Sequence, residues 1–207
     1  LYSLGVLPGR IIHLPIGFDH NMFFEFKKYD ERKYDFVIST PLKINSLGSH
    51  YWLRKSSPLI HETLNKLGRE GYKVLIIGEG WNNSLLSNNK NIDIVNCSYR
   101  EKNNFLNECK TFLNLSLIEG GPVTLLEAIA AGCNCISKNN GFSSDIAIEF
   151  PQKCKDIKNI VSSEQLSKEI INLYQNNFSY EKAINSSDLH SYSFNYLGKK
   201  IMNILNI

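Results

Sequence analysis

The chain has 207 residues, 43% hydrophobic and 21% charged, enough to bury a full core without disulfide or metal staples. Its net charge of +3 is too mild to mark a nucleic-acid binder, and no apolar run approaches the roughly 18 residues that cross a bilayer. The five cysteines, Cys97, Cys109, Cys133, Cys135 and Cys154, follow no framework spacing and read as free thiols of a reducing cytoplasm.

Residues 1–30 read as a connector. They hold one strand, Arg10–Pro15, then Gly17-Phe-Asp-His and a charged run from Lys27 to Lys33. The opening, Leu1 to Pro8, has no initiator Met, basic flank or long apolar stretch, so the chain reads as a fragment of a longer polypeptide. Further strands are predicted at Tyr34–Ser39, Tyr72–Ile77, Ile92–Asn96, Phe112–Leu115 and Asn134–Ser137, with a short one at Ile157–Val161. These runs are too uniformly apolar for one-sided sheets and imply coverage on both faces.

Helices alternate with them. After a long insertion at residues 40–56, Ser57 caps and Pro58 opens a helix with Ile60, Leu64 and Leu67 on one face. It ends near Gly68 or Gly71. Asn82–Asn91 is an Asn-rich turn region, and a second helix runs from Glu101 to Cys109. A third opens at Pro122 and stops at Gly132. Ser162 and Gln165 form a capping box ahead of Leu166, Ile170, Leu173 and Tyr174. The last helix is capped by Ser193 and carries Phe194, Leu197, Ile201 and Ile204 as one stripe. Such alternation specifies an α/β fold with a doubly wound, Rossmann-like parallel sheet over residues 31–190, followed by a closing helix at 191–207. Its ligand belongs beyond the carboxyl ends of the strands.

At one such end stands Ser116-Leu-Ile-Glu119-Gly120-Gly121-Pro122-Val123-Thr124-Leu125-Leu126-Glu127-Ala128. A strand, a glycine turn and a helix N-terminus together offer free backbone N–H groups and a positive dipole end to a phosphate. Glu119 precedes the helix and Glu127 lies inside it, eight positions on. Cys133-Asn-Cys135 has no second Cys/His pair at zinc spacing, and the five histidines form no His-x-x-x-His pair, so no metal site is expected.

These segments, in order along nearly the whole chain, resemble the C-terminal, donor-binding half of the GT-B retaining glycosyltransferases of group 1 (family 4-like). Ile12-His-Leu-Pro15-Ile-Gly17-Phe-Asp19 through Phe23 is similar to the family's interdomain connector, and Lys73 to Gly80 to its strand ending in G-x-G. Ser116 to Ala128 matches S-x-x-E-G-x-P-x-x-x-L-E-A. Ala131 to Ser137 stands where the family has G-x-P-V-I-x-S/T, and Ser191 to Phe194 resembles the segment that opens its last helix, which crosses back to the N-terminal domain.

The resemblance implies a nucleoside-diphosphate sugar as ligand, UDP- or GDP-linked, with no cofactor and no metal. Glu119 and Lys55 are then the catalytic pair: Glu119 at the transferred sugar, Lys55 on the diphosphate. Gly121, Val123, Thr124 and Leu125 present amides at the mouth of the helix opened by Pro122, while Gly120 and Gly121 let the ligand approach. Glu127 holds the ribose hydroxyls, and the Cys97 backbone, within Asn96–Arg100, contacts the base. Retention by front-face displacement makes Glu119 no nucleophile. The family's Gly-Arg before the lysine is replaced by Ser39-Thr40, leaving Arg54 or Lys43 as substitute cations; Asp145 stands where the family has a sugar-contacting glutamate. The implied partner is an N-terminal acceptor-binding domain of the same polypeptide, and nucleic acid is not one. Location is expected in the cytoplasm, with any peripheral contact at the inner face of the membrane made by the missing half. A GT-B sugar-nucleotide epimerase and a non-catalytic nucleotide-binding module are the alternatives.

Overall fold

Apolar runs at regular intervals bury both faces of a sheet only if helices cross over it between strands. In the computed structural model, which describes residues 16–41, 55, 57–81, 84–157, 160, 162–176, 178 and 188–205, six strands do this. They are β1 (Tyr34–Ser39), β2 (Val74–Ile77), β3 (Ile92–Val95), β4 (Cys109–Asn114), β5 (Asn134–Lys138) and β6 (Cys154–Ile157). All pair in parallel in the order β3-β2-β1-β4-β5-β6. The winding therefore reverses between β1 and β4, where a crevice opens beyond the carboxyl ends.

The helices are α1 (Ser57–Arg69), α2 (Lys102–Asn107), α3 (Val123–Ala130), α4 (Ser143–Glu149), α5 (Ser163–Asn176) and α6 (Phe194–Leu205). Successive strand residues point to opposite faces. Val37, Phe112 and Cys135 accordingly pack with Leu125, Leu126 and Ile129 of α3. Phe36, Leu113 and Ile136 pack with Ile60 and Leu64 of α1 and Leu166 and Ile170 of α5.

At the amino end of the sheet, buried Arg32 is a clasp. Its guanidinium donates to the Cys109, Ala131 and Lys27 carbonyls at 2.9, 3.0 and 2.9 Å and to Glu25 Oε1 at 3.0 Å. Of the residues read from the sequence as a connector, Phe18 and Phe23 join the core, and Phe18 exchanges backbone bonds with Tyr192 and Phe194. The predicted strand Arg10–Pro15 lies outside the described residues.

Several predicted boundaries move. The second predicted helix ends at Asn107, and Cys109 already belongs to β4, three residues ahead of Phe112. Lys110 and Thr111 interrupt the apolar pattern, but the backbone register of Tyr34 with Cys109 and Phe36 with Thr111 sets the strand. The last strand among the described residues is Cys154–Ile157, an edge strand that tolerates the half-exposed Lys155 and Asp156; of the predicted strand Ile157–Val161, residues 158, 159 and 161 lie outside the described residues. Helix α3 begins at Val123, with Pro122 in the cap position, and stops as Gly132 turns to φ +82°. Ser193 caps α6 as predicted, its Oγ accepting the Tyr196 N–H at 3.2 Å. Of the stripe on α6, Leu197 is buried, whereas Phe194, Ile201 and Ile204 are exposed.

Candidate functional site

A cavity of about 190 Å³ opens where the winding reverses, between the carboxyl ends of β1 and β4. Its wall includes Ser39, Thr40, Lys55, Asn114, Ser116, Glu119 and the start of α3. Beneath it, Asn114 Nδ2 donates to Ser137 Oγ at 2.9 Å and Asn140 Nδ2 to the Ser116 carbonyl at 2.5 Å. Ser143 Oγ closes this network on the Lys138 carbonyl at 3.0 Å. Buried and mutually satisfied, these groups fix the end of β4 against the turn that follows β5. That turn holds Gly141 at φ +53°, where a Cβ would lie 2.6 Å from the Glu119 carbonyl oxygen. The loop bearing Glu119 thus rests directly on a glycine backbone.

The two residues assigned to catalysis from the sequence meet across this cavity. Lys55 Nζ donates to Glu119 Oε1, and the two side chains are only 17% and 14% exposed. Lys55 is the one cation among the described residues of the wall. The buried Thr40 hydroxyl has no partner among the described residues.

The glycine turn divides its tasks. A Cβ on Gly120 would meet nothing within 4 Å, so its face is open to an approaching molecule. On Gly121 it would lie 2.8 Å from both Ile16 and Phe142, so this glycine serves packing and does not leave room for a ligand. The predicted amide cradle is likewise narrower. Val123 N–H bonds the Gly121 carbonyl and Leu125 N–H the Pro122 carbonyl, both at 2.9 Å, which tightens the first turn. Leu125 itself faces the core, while Gly121, Pro122, Val123 and Thr124 line the cavity.

Glu127 lies inside α3, 2% exposed and apart from the cavity wall. Tyr99 Oη donates to its Oε1 at 3.0 Å and Lys102 Nζ to its Oε2 at 2.6 Å. Neither partner was identified from the sequence. Tyr99 lies in the turn after β3, inside the stretch assigned to the base, and Lys102 opens α2, but no spacing ties them to a glutamate on another helix. Cys97, in the same turn, is half-buried against the core, and burial followed by the Glu101 charge raises its thiol pKa. Asp145 is exposed on α4, away from the cavity wall. Arg54 and Lys43 lie outside the described residues.

The remaining cysteines are buried and free, with burial pushing Cys133 up to about 11 and Cys154 up to about 12. Such thiols are inert packing groups. Among the described residues, no group of three or more His, Cys, Asp or Glu is placed to hold a metal, and no helix is long and apolar enough to cross a membrane.

A helix mouth and an ammonium at one cavity can receive an anion, and the adjoining carboxylate can accept hydrogen bonds from hydroxyls. A family model described as "Glycosyl transferases group 1" matches residues 55–189. No curated protein sequence matches the chain. Among solved structures, a glycosyltransferase from Rickettsia africae superposes with TM-score 0.66 at 16% identity, covering 97% of this chain and 57% of that one. The Anabaena protein HepE, solved in complex with UDP-glucose, gives 0.66 at 11% identity, covering 92% and 56%. The C-terminal domain of a group 1 glycosyl transferase from Francisella tularensis gives 0.56 at 16% identity, covering 91% and 97%. At these identities the likeness is one of fold; the chain spans a little over half of the first two proteins and nearly all of the third. With the family model matching well over half its length, the chain belongs to the group 1 glycosyl transferases, as the C-terminal Rossmann-like half of a GT-B fold.

Proposed function

We propose that these residues bind the nucleotide-sugar donor of a retaining glycosyltransferase. The observation that carries this reading is the meeting of Lys55, Glu119 and the α3 mouth around one cavity at the crossover of the sheet. The fold neighbour solved with UDP-glucose supports the class of ligand. In this reading the diphosphate lies between Lys55 and the Gly121 and Thr124 amides, which neutralise the charge that develops as the sugar–phosphate bond breaks. Donor oxygen must displace Glu119 from Lys55, which frees that carboxylate for a sugar hydroxyl or for positive charge developing at the anomeric carbon. The acceptor hydroxyl attacks from the face the nucleotide leaves and passes its proton to the departing phosphate oxygen, so configuration is retained. The ribose hydroxyls belong at Glu127 and the base near the Cys97 backbone. Ser39 and Thr40 bring neutral hydroxyls to the place of the family's glycine and arginine. No metal or cofactor takes part.

The acceptor site belongs to an N-terminal domain of the same polypeptide, joined through residues 1–30. The exposed apolar stripe of α6, within 191–207, is the surface that packs on it. The isolated chain is therefore expected to bind donor but transfer little sugar. We place the whole enzyme in the cytoplasm, reaching the inner face of the membrane through that other half. The missing arginine favours one second reading, a nucleotide-binding module without turnover; full-length protein that binds UDP or GDP but consumes no donor with any acceptor would establish it.

Calorimetry with UDP and with GDP tests the donor reading. One nucleotide should bind the chain, and Glu127→Ala should weaken it at least tenfold. Absence of binding by both nucleotides at millimolar concentration would overturn it.

A further inference from the structure

Burying a carboxylate is costly unless its oxygens are paired. Glu127 meets that condition with one donor on each oxygen, Tyr99 from the turn between β3 and α2 and Lys102 from the first position of α2. A carboxylate accepts at about four lone-pair sites, so two stay open. One donor on each oxygen holds the group in place and leaves acceptor capacity on both oxygens for two neighbouring hydroxyls.

The donors are themselves held. The Tyr99 ring packs edge-on against buried Phe23, with centroids 5.3 Å apart and planes at 65°. The Lys102 ammonium sits 5.9 Å from the Tyr99 ring centroid, and its side chain is 14% exposed. Burial, the Glu127 charge and their hydrogen bond all raise the Tyr99 pKa, so its phenol remains a donor throughout the neutral range. The pair differs from the ordinary ion pairs of this molecule. Lys66 and Lys168 both bridge to Glu164, whose side chain is 55% exposed.

We infer that Tyr99 and Lys102 are positioning residues of the donor site, which act through Glu127 by presenting its carboxylate to the vicinal ribose hydroxyls of the nucleotide. The inference rests on the donor reading above and adds to it what sets the ribose contact. A fixed carboxylate loses little freedom when it binds, whereas a loose one must first be ordered. If the two residues merely glued α3 to the turn, their loss would lower stability without changing which nucleotides are preferred.

The experiment compares affinity for UDP, or for GDP if that is the nucleotide bound, with affinity for the same diphosphate lacking both ribose hydroxyls. The native chain should prefer the natural nucleotide. Lys102→Met should weaken the natural nucleotide about tenfold, as loss of a charge-assisted contact does, and leave the dideoxy compound unchanged. Lys102→Arg should restore most of the preference. Tyr99→Phe should lower it severalfold; because that variant keeps the ring and the Lys102–Glu127 pair, it reports even if Lys102→Met fails to fold. If both compounds weaken equally, or the preference survives in Tyr99→Phe and Lys102→Met, the positioning role is overturned while the donor reading stands. If the native chain binds neither nucleotide, the donor reading fails and this inference with it.

Discussion

The two ends of the sheet each hold a basic side chain in a mostly buried setting, and they use it in opposite ways. At the amino end, Arg32 is fully engaged by three carbonyls and Glu25. At the carboxyl end, Lys55 faces a cavity and pairs with Glu119. A guanidinium that has saturated its fork is mortar, because any exchange leaves several buried acceptors orphaned. An ammonium with one carboxylate partner can trade it for a phosphate at little cost, since one charge-assisted bond replaces another. The same contrast separates Gly141, wedged under the Glu119 carbonyl, from Gly120, which faces open space.

Substitutions at the two ends should therefore fail differently. The largest effect is expected for Arg32→Met, which leaves Glu25 and three carbonyls without their donor. Denaturant unfolding should show a loss of about 3–5 kcal/mol, with the nucleotide affinity of the folded fraction unchanged. Lys55→Ala should do the reverse, lowering nucleotide affinity about tenfold or more by titration calorimetry. Its unfolding free energy should fall by less than that of Arg32→Met, because the Glu119 carboxylate left behind borders a cavity. Third comes the glycine pair. Gly141→Ala should destabilise by about 1–2 kcal/mol through its left-handed backbone and the Glu119 clash. Gly120→Ala should stay within about 0.5 kcal/mol of the parent yet bind nucleotide more weakly.

The smallest effect concerns pH. His61 on α1 stacks on Trp81 with centroids 6.5 Å apart, and burial lowers its pKa. The unfolded chain then binds the proton more readily than the folded one. The contribution is complete above the ordinary histidine value of about 6.5 and is lost as pH falls through the lower folded value. Thermal melts of His61→Gln should show a flatter decline between neutral and mildly acidic pH than those of the parent. An unchanged slope would remove His61 from the account.

Much of this was legible from local pattern. Tyr34–Ser39, with Phe36, Val37 and Ile38 in succession, coincides with β1, and the Ser116–Ala128 string placed Glu119 at a strand end before a helix. The boundaries that moved belong to strands defined by their neighbours: β4 begins on polar residues held in register by β1, and the edge strand β6 carries charge. Strand order followed from no local signal, and with it the crossover that makes the cavity. Tyr99 and Lys102 stayed hidden for the same reason, since only tertiary packing brings them to Glu127. A helix opening at Pro122 would leave the amides of Val123 and Leu125 free; with Pro122 as the cap, its carbonyl accepts from Leu125 and that of Gly121 from Val123.

The most direct test follows backbone amides by NMR in the 15N-labelled chain as UDP or GDP is added. Shifts are expected at Gly120, Gly121, Thr124 and the 97–102 turn, with the amides near Arg32, Cys109 and Ala131 silent. Perturbation centred on the Arg32 end, or none anywhere at millimolar nucleotide, would contradict a donor site at the carboxyl ends of β1 and β4.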